Sequence, residues 1–192
     1  MIPQAVPAGQ DGQPGGPVPG QPEGIFADPR LTAMGLLVET YAGLQAKFAP
    51  VLTAAGLATT DFDVLLRLGR SAGQRLRMTD LATQTALSTS GITRVVDRLE
   101  QRGLVVRETC PSDRRGAYAV LTASGRDLIA GVLRQHVRDI DRWFTGLLTE
   151  DQLNALLSAL RLVRDEVRPG ATAGVSTAGD HGDNESSEVT SL

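Results

Sequence analysis

The spacing of apolar residues changes from helical to strand-like near residue 103, and this change constrains the fold more than any other feature. Before it, the segments 79–85 and 88–102 carry apolar residues at helical spacing and are separated by a short turn. After it, two strand-like runs, 104–108 and 117–121, flank a stretch rich in turn-forming residues. Two helices at this spacing have helix-turn-helix dimensions, and a following hairpin makes the motif a winged helix.

Further helices are predicted on both sides of this motif. Apolar stripes at helical spacing run through 31–55, 61–70, 123–147 and 150–167. Pro50 predicts a kink or a break in the first of these helices. Hydroxyl side chains suited to N-capping precede several of the helices: Thr59 or Thr60, Thr79, Ser88, Thr122 and, with Gln152 in a capping box, Thr149. The predicted fold class is mainly α, with a small β-hairpin wing and a helical dimerisation domain built from the N- and C-terminal helices.

Both ends of the chain differ in composition from the middle. Residues 1–30 hold seven prolines and six glycines, and 169–192 hold four acidic residues with no Lys or Arg. Neither end has a repeated apolar face, so both are predicted to be disordered tails. Residues 31–168 then form one domain, with a DNA-binding lobe at about 60–121 and dimerisation helices at about 31–56 and 123–168.

Composition excludes several classes of function. One Cys and two His argue against a disulfide framework and against a metal site. No apolar run reaches the ~18 residues of a membrane helix, and no secretory signal is present. No nucleophile–base pair or phosphate-binding glycine loop is found. We therefore expect a cytoplasmic, non-enzymatic protein without cofactor, metal or membrane.

Positive charge is concentrated around the predicted winged helix. The chain has a net charge of −3, but residues 67–115 hold ten arginines against five acidic residues. A local basic patch is typical of a protein that binds a polyanion. Of the 19 basic residues only Lys47 is a lysine, which codon bias in a GC-rich genome also explains. The position of each arginine therefore carries the argument, not the number of arginines.

The second helix of the motif has one apolar and one polar face. If Ile92, Val95, Val96 and Leu99 pack into the core, the opposite face presents small polar residues and two arginines: Ser90, Gly91, Thr93, Arg94 and Arg98. Small residues allow close approach to DNA, and Arg reads guanine edges or neutralises phosphate. The tip of the hairpin, with Asp113, Arg114 and Arg115, is suited to an adjacent minor groove. A solvated helix face and an ordinary charged turn are the alternatives.

These residues resemble the MarR family of prokaryotic regulators. The resemblance rests on Leu81-Ala82, on the run from Thr93 to Glu100, on Arg102-Gly103-Leu104-Val105, on Asp113-x-Arg115 and on Leu121-Thr122-x-x-Gly125. It implies a homodimer that binds pseudo-palindromic double-stranded DNA, commonly represses, and is released by a small aromatic or lipophilic effector. By position, the resemblance implies that four residues contact the major groove: Ser90, Gly91, Thr93 and Arg94. It implies phosphate contacts from the Arg98 side chain and from the hydroxyls of Thr79, Ser88 and Thr89. A minor-groove contact is implied for Arg115, with Arg114 beside it.

A dimer also follows from the apolar stripes of the first and last two helices, which exceed what one winged helix needs to bury. A two-fold dimer would use these surfaces, whereas a monomer would fold them back on its own core. The resemblance implies an effector site between the dimerisation helices and the DNA-binding lobe. Five aromatic residues are candidates for its lining, with a plain core role as the alternative: Tyr41, Phe48, Phe62, Trp143 and Phe144.

Two other functions remain open. The winged helix can serve as a protein-interaction module without DNA preference. Alternatively, Cys110 at the base of the wing can act as a redox switch, because nearby Arg107 would lower the pKa of its thiol. His136, in the middle of a helix, is expected at the surface or at an interface.

Overall fold

A computed structural model describes residues 24–110 and 113–171, with backbone alone at 110 and 113–115. The predicted fold class is confirmed: the described chain is mainly helical with one small antiparallel sheet. Of the described residues, 24–43 belong to one compact unit and those from Leu44 onwards belong to a second, which holds the winged helix. The helices are α1 (Pro29–Ala54), α2 (Thr59–Arg70), α3 (Met78–Thr85), α4 (Thr89–Gln101), α5 (Ala123–Trp143) and α6 (Glu150–Val167), and the strands are β1 (Arg75–Arg77), β2 (Val105–Cys110) and β3 (Asp113–Leu121).

The sheet has three strands rather than the two of the predicted hairpin. Its order is β1-β3-β2, and β3 pairs antiparallel with both neighbours. Leu76 of β1 lies opposite Ala119, and Val106 of β2 lies opposite Val120. Strand β1 has only three residues between two helical segments, which is too short for its alternation to stand out in the sequence.

The core of the second unit lies where the helix-turn-helix meets α2, α5 and the base of the wing. Val64, Leu65, Leu68, Leu81, Val96 and Leu99 have no exposed surface. Gly125, in the first turn of α5, packs closely against Leu104, the residue before β2. A Cβ at this position would lie 2.1 Å from the carbonyl oxygen of Leu104, so only glycine fits there. The hydroxyl of Thr122 also donates to the carbonyl of Gly103 at 2.7 Å. The wing and α5 are therefore fixed to each other at this junction.

Three of the expected N-caps are present and two are not. The hydroxyls of Ser88, Thr122 and Thr149 accept hydrogen bonds from the backbone three residues ahead, at 3.0 to 3.3 Å. Helix α2 instead begins after Ala58, whose N–H donates to the carboxylate of Asp61 at 3.1 Å. Helix α3 begins after Arg77, so Thr79 lies within its first turn.

The structure bears on three other expectations. The sequence predicts a disordered tail over residues 1–30, but Gly24–Ala27 form a 3-10 turn and α1 starts at Pro29, while residues 1–23 lie outside the described residues. Pro50 lies inside α1, which continues to Ala54, so the predicted break does not occur at this proline; the alternative, a kink, stays a prediction. His136 is buried in α5 rather than exposed.

Candidate DNA-binding surface

Helix α4 has the two faces that its sequence predicts. Ile92, Val95, Val96 and Leu99 are buried in the core. The residues on the other side are exposed apart from Gly91, which is half-buried: Ser88, Thr89, Ser90, Thr93, Arg94 and Arg98. Before the helix, Ala86 adopts the left-handed conformation at φ +56°, in the turn position where glycine is commoner. The turn and the Ser88 cap together orient the N-terminus of α4.

Arg98 joins α4 to α2. Its Nε donates to Oδ1 of Asp61 at 3.0 Å, and Nη2 makes a second bond to the same oxygen. Asp61 is buried, whereas the Arg98 side chain is 46% exposed. The hydrogen bonds to Asp61 raise the pKa of the Arg98 guanidinium above its usual value, against a smaller opposing effect of burial. Arg98, predicted to hold phosphate, is thus engaged with a buried carboxylate, and its contact with DNA stays a prediction.

Arg107 of β2 also contacts α4, through two acidic residues of that helix. Its guanidinium bonds the carboxylates of Asp97 at 2.6 Å and Glu100 at 2.8 Å, and its backbone N–H donates to Glu100 at 3.1 Å. Its guanidinium also donates a longer hydrogen bond to the backbone carbonyl of Thr93 at 3.3 Å. Arg107 therefore connects α4 to β2 of the wing, while the side chain of Cys110 lies outside the described residues.

Arg94 differs from these two arginines. Within residues 24–110 and 113–171 its guanidinium makes no hydrogen bond or ion pair, and its side chain is exposed. Thr93 is beside it, with its hydroxyl donating to the carbonyl of Thr89 at 2.8 Å. The hydroxyls of Ser88 and Ser90 are 3.2 Å apart at the start of the helix. The first two turns of α4 thus present hydroxyls and a guanidinium that remains available for a ligand.

Thr79 lies on the neighbouring helix α3. It is exposed, and its hydroxyl donates to the carboxylate of Asp80 at 3.3 Å. The role of Thr79 in holding phosphate, like those of Ser88 and Thr89, is not tested by this geometry and stays a prediction.

Strand β1, which pairs with the wing strand β3, adds two arginines that the sequence analysis does not single out. Arg75 and Arg77 of β1 lie over the ring of Tyr118 in β3, with guanidinium carbons 5.0 and 5.7 Å from its centroid. Arg75 also approaches Glu108 at 4.0 Å. The alternation of Arg75 and Arg77 around Leu76 was the available signal. The side chains of Asp113, Arg114 and Arg115 at the predicted tip lie outside the described residues.

The five aromatic residues proposed for an effector site are not equivalent. The rings of Phe48 and Phe62 each lie 4.8 Å from the ring of His136, both edge-on. Lys47 and Arg142 lie over the ring of Trp143, at 4.4 and 4.7 Å. Phe144 is half-buried at the end of α5. Tyr41 is exposed and belongs to the first unit.

Among the described residues, no group of three or more His, Cys, Asp or Glu side chains is placed to hold a metal ion. No single helix of the described ranges is long and apolar enough to cross a bilayer; α1 and α2 reach that length and hydropathy only as a pair, across a sharp bend.

Known regulators are similar to this chain in sequence. A family model described as MarR family matches residues 55–116. The HTH-type transcriptional regulator MhqR of Bacillus subtilis is 32% identical over 108 residues, which are 56% of this chain and 72% of MhqR. The transcriptional repressor MprA of Escherichia coli is 28% identical over 112 residues, 57% of this chain and 64% of MprA.

Solved structures extend the similarity to the fold. AbsC, a MarR family transcriptional regulator from Streptomyces coelicolor, is 35% identical with a TM-score of 0.71, covering 77% of this chain and 99% of AbsC. Sco3205 from the same organism, solved in complex with DNA, is 30% identical with a TM-score of 0.69, covering 78% and 94%. BpsR of Bordetella bronchiseptica, described as regulated in DNA binding by 6-hydroxynicotinic acid, is 25% identical with a TM-score of 0.61, covering 70% and 99%. By sequence and by fold, the chain belongs to the MarR family of transcriptional regulators.

Proposed function

We propose that this protein is a homodimeric, sequence-specific DNA-binding transcriptional repressor that a small aromatic or lipophilic effector releases from its operator. The observation that carries the proposal is the exposed N-terminal half of α4, where Arg94 lies beside Ser90, Gly91 and Thr93. The Asp61–Arg98 and Arg107 contacts fix this helix to the body of the lobe. A rigid helix with small residues and an available arginine is suited to the major groove.

The wing supports the same function. Arg75 and Arg77 lie beside it on β1, which pairs with β3, and the sequence has Arg114 and Arg115 at its tip. We assign the minor-groove contact to Arg115. Arg75 and Arg77 are assigned contacts with the phosphate backbone of the DNA. Residues of about 60–121 then form the DNA-binding lobe, and the protein acts in the cytoplasm of a prokaryotic cell without catalysing a reaction.

A dimer is proposed because α1 and α6 leave their apolar residues exposed. Of the 26 residues of α1 only Leu52 is buried, and none of the 18 residues of α6 is. A two-fold interface would cover these residues and set the two α4 helices, which we assign as the recognition helices, about 34–36 Å apart, which is one turn of DNA. Relatives support repression and effector release: MprA is named a repressor, and DNA binding by BpsR is regulated by 6-hydroxynicotinic acid.

The test is a fluorescence anisotropy titration of the protein on duplex DNA from upstream of its own gene, at two salt concentrations. We expect this DNA to bind ~10³-fold more tightly than a scrambled duplex, with a steep loss of affinity as salt rises. Arg94→Ala is expected to cost ~1–3 kcal/mol on the specific duplex and to relax the preference at one base position.

Arg134→Ala is the matched control. It removes the same charge from an exposed position on α5, away from the proposed surface, and should leave both affinities unchanged. If Arg94→Ala binds the specific duplex as tightly as the wild-type protein, α4 does not dock as proposed. Equal, weak binding of both duplexes, repeated with duplexes selected from a random pool, would favour the protein-interaction module instead.

A further inference from the structure

The end of helix α6 contacts the helix-turn-helix. Arg168 follows α6, and its Nη2 donates to the backbone carbonyl of Gln84 in the last turn of α3 at 2.8 Å. Gly170 lies close to Thr83, because a Cβ added at Gly170 would be 2.5 Å from Cγ2 of Thr83. The backbone N–H of Ala171 donates to the carbonyl of Arg168 at 3.0 Å and closes a turn. The last residues that the structure describes are therefore attached to the C-terminal end of α3.

This attachment brings the following part of the chain within reach of α4. Between Gln84 and Arg94 the backbone makes four steps in the turn and six in α4. At ~3.8 Å per step in the turn and ~1.5 Å per step in the helix, these two residues are at most about 25 Å apart. Asp180 and Glu188 come nine and 17 residues after Ala171, and extended chains of these lengths reach about 30 and 55 Å. The segment 180–188 can therefore reach the exposed face of α4.

The first half of α4 is positively charged. Arg94 is exposed, and its guanidinium makes no hydrogen bond or ion pair within residues 24–110 and 113–171. The first turn of α4 holds no acidic residue, and the positive end of the helix dipole lies there. Asp97 and Glu100, further along α4, are both paired with Arg107. An acidic ligand would therefore meet an arginine that no carboxylate neutralises.

The segment 180–188 has the complementary charge. Its acidic residues are Asp180, Asp183, Glu185 and Glu188, and no Lys or Arg occurs between residues 169 and 192. Because the segment belongs to the same chain, its effective concentration at α4 is on the order of millimolar, and even a weak attraction is then populated. Carboxylates and DNA phosphates are both anions, so the segment and DNA attract the same arginine.

We propose that the acidic segment 180–188 binds the exposed face of α4 in the absence of DNA and competes with DNA for Arg94. The competition rests on the proposed function, whereas the contact between the segment and α4 does not. The segment must leave α4 before any duplex binds. It therefore lowers the affinity for specific and scrambled duplexes by the same factor.

A spin label in the segment tests the contact without DNA. Asn184→Cys carries the label in a Cys110→Ser protein, and amide NMR signals are recorded on the whole chain. We expect broadening of the amide signals of Ser90 and Arg94, which salt at about 1 M relieves because the Debye length falls to about 3 Å. Arg94→Ala should reduce the broadening at Ser90, whereas Arg134→Ala, at an exposed position on α5, should leave it unchanged.

The same NMR experiment can overturn the proposal. Absence of broadening at α4, or broadening that persists at high salt and in Arg94→Ala, would show that the segment does not bind this face through its charge. A thermal unfolding transition like that of the wild-type protein shows that each variant is folded.

The effect on DNA is measured with a neutral segment, in which Asp180→Asn, Asp183→Asn, Glu185→Gln and Glu188→Gln are combined. At about 50 mM salt we expect both duplexes to bind about threefold more tightly, which corresponds to a segment bound in about two thirds of the molecules. In an Arg94→Ala background this gain should be largely lost, because the segment and DNA no longer share the arginine. Plain repulsion between the segment and DNA would give the same gain in both backgrounds and would refute the competition.

The two proposals fail separately. Broadening at α4 in a protein without specific DNA binding would refute the proposed function and keep the contact. Specific DNA binding by a protein that shows no broadening at α4 would refute the contact alone.

Discussion

His136 is a buried histidine whose surroundings favour the neutral imidazole. The rings of Phe48 and Phe62 cover it from α1 and α2, and its Nδ1 has no hydrogen-bond partner among the described residues. Burial lowers the pKa of His136 below its usual value of 6.5, and Asp139, one turn further along α5, opposes this only in part. A proton added at this position therefore enters an apolar environment without a partner.

The stability of the fold should consequently fall at acidic pH. Below about pH 6.5 the unfolded chain binds a proton at this position that the folded chain does not, so the free energy of unfolding decreases as pH falls towards the folded-state pKa. Above pH 7 both states are neutral here, and the residue contributes no pH dependence. Urea unfolding at pH 7.5 and 5.5 measures the effect.

His136→Gln is the comparison variant, because glutamine does not titrate. Its loss of stability between the two pH values should be smaller than that of the wild-type protein. An NMR titration of the His136 imidazole, assigned by its absence in the variant, gives the pKa directly. A midpoint at or above 6.5 in the folded protein would contradict the burial argument.

At the scale of elements, the ion pair between Asp61 and Arg98 joins α2 to α4. Removing Arg98 leaves the carboxylate of Asp61 buried without its cation. We expect Arg98→Ala to lower the free energy of unfolding by ~1–3 kcal/mol, less than for a fully buried pair because Arg98 is half-exposed. Arg94→Ala, the matched control on the same helix, should change stability by no more than ~0.5 kcal/mol.

Salt dependence separates this role of Arg98 from a phosphate contact. If Arg98 acts by holding α4, Arg98→Ala weakens DNA binding without changing the slope of log affinity against log salt. If Arg98 neutralises a phosphate, the slope falls by about one. Anisotropy titrations of the specific duplex over a range of salt concentrations distinguish the two results.

Local sequence patterns predict the helices and strands well, but they predict poorly which residue each side chain contacts in the folded protein. The helices, the apolar face of α4 and the caps at Ser88 and Thr149 follow from periodicity and side-chain chemistry within a few residues. The partner of Arg98 is 37 positions away, on a different helix, and no local pattern reports it. Strand β1 is defined by pairing with β3 rather than by its own three residues. His136 is buried because α1 and α2 pack over it, which the sequence of α5 alone does not reveal.

At the scale of the whole molecule, the exposed apolar residues require a partner surface. On α6, Val163 and Val167 are exposed by 58% and 74% and lie on one side of the helix with Leu160. In the first unit, Met34, Leu37 and Tyr41 are more than half exposed. Full burial of one fully exposed side chain of this kind contributes about 1.5–3 kcal/mol, so covering several of these partly exposed ones in an interface favours association and offsets part of its entropic cost.

We therefore expect the protein to sediment as a dimer at micromolar concentration, with twice the chain mass of 20.3 kDa. Val163→Glu should shift it towards monomer, because a carboxylate would be buried in the interface. Ser158→Glu adds the same charge to an exposed position on another side of α6 and should leave the dimer intact. Because a two-fold dimer holds both recognition helices on one operator, Val163→Glu should also weaken specific DNA binding far more than Ser158→Glu. A wild-type protein that sediments as a monomer would leave the apolar stripes of α1 and α6 to another partner, and each lobe would then read a single half-site.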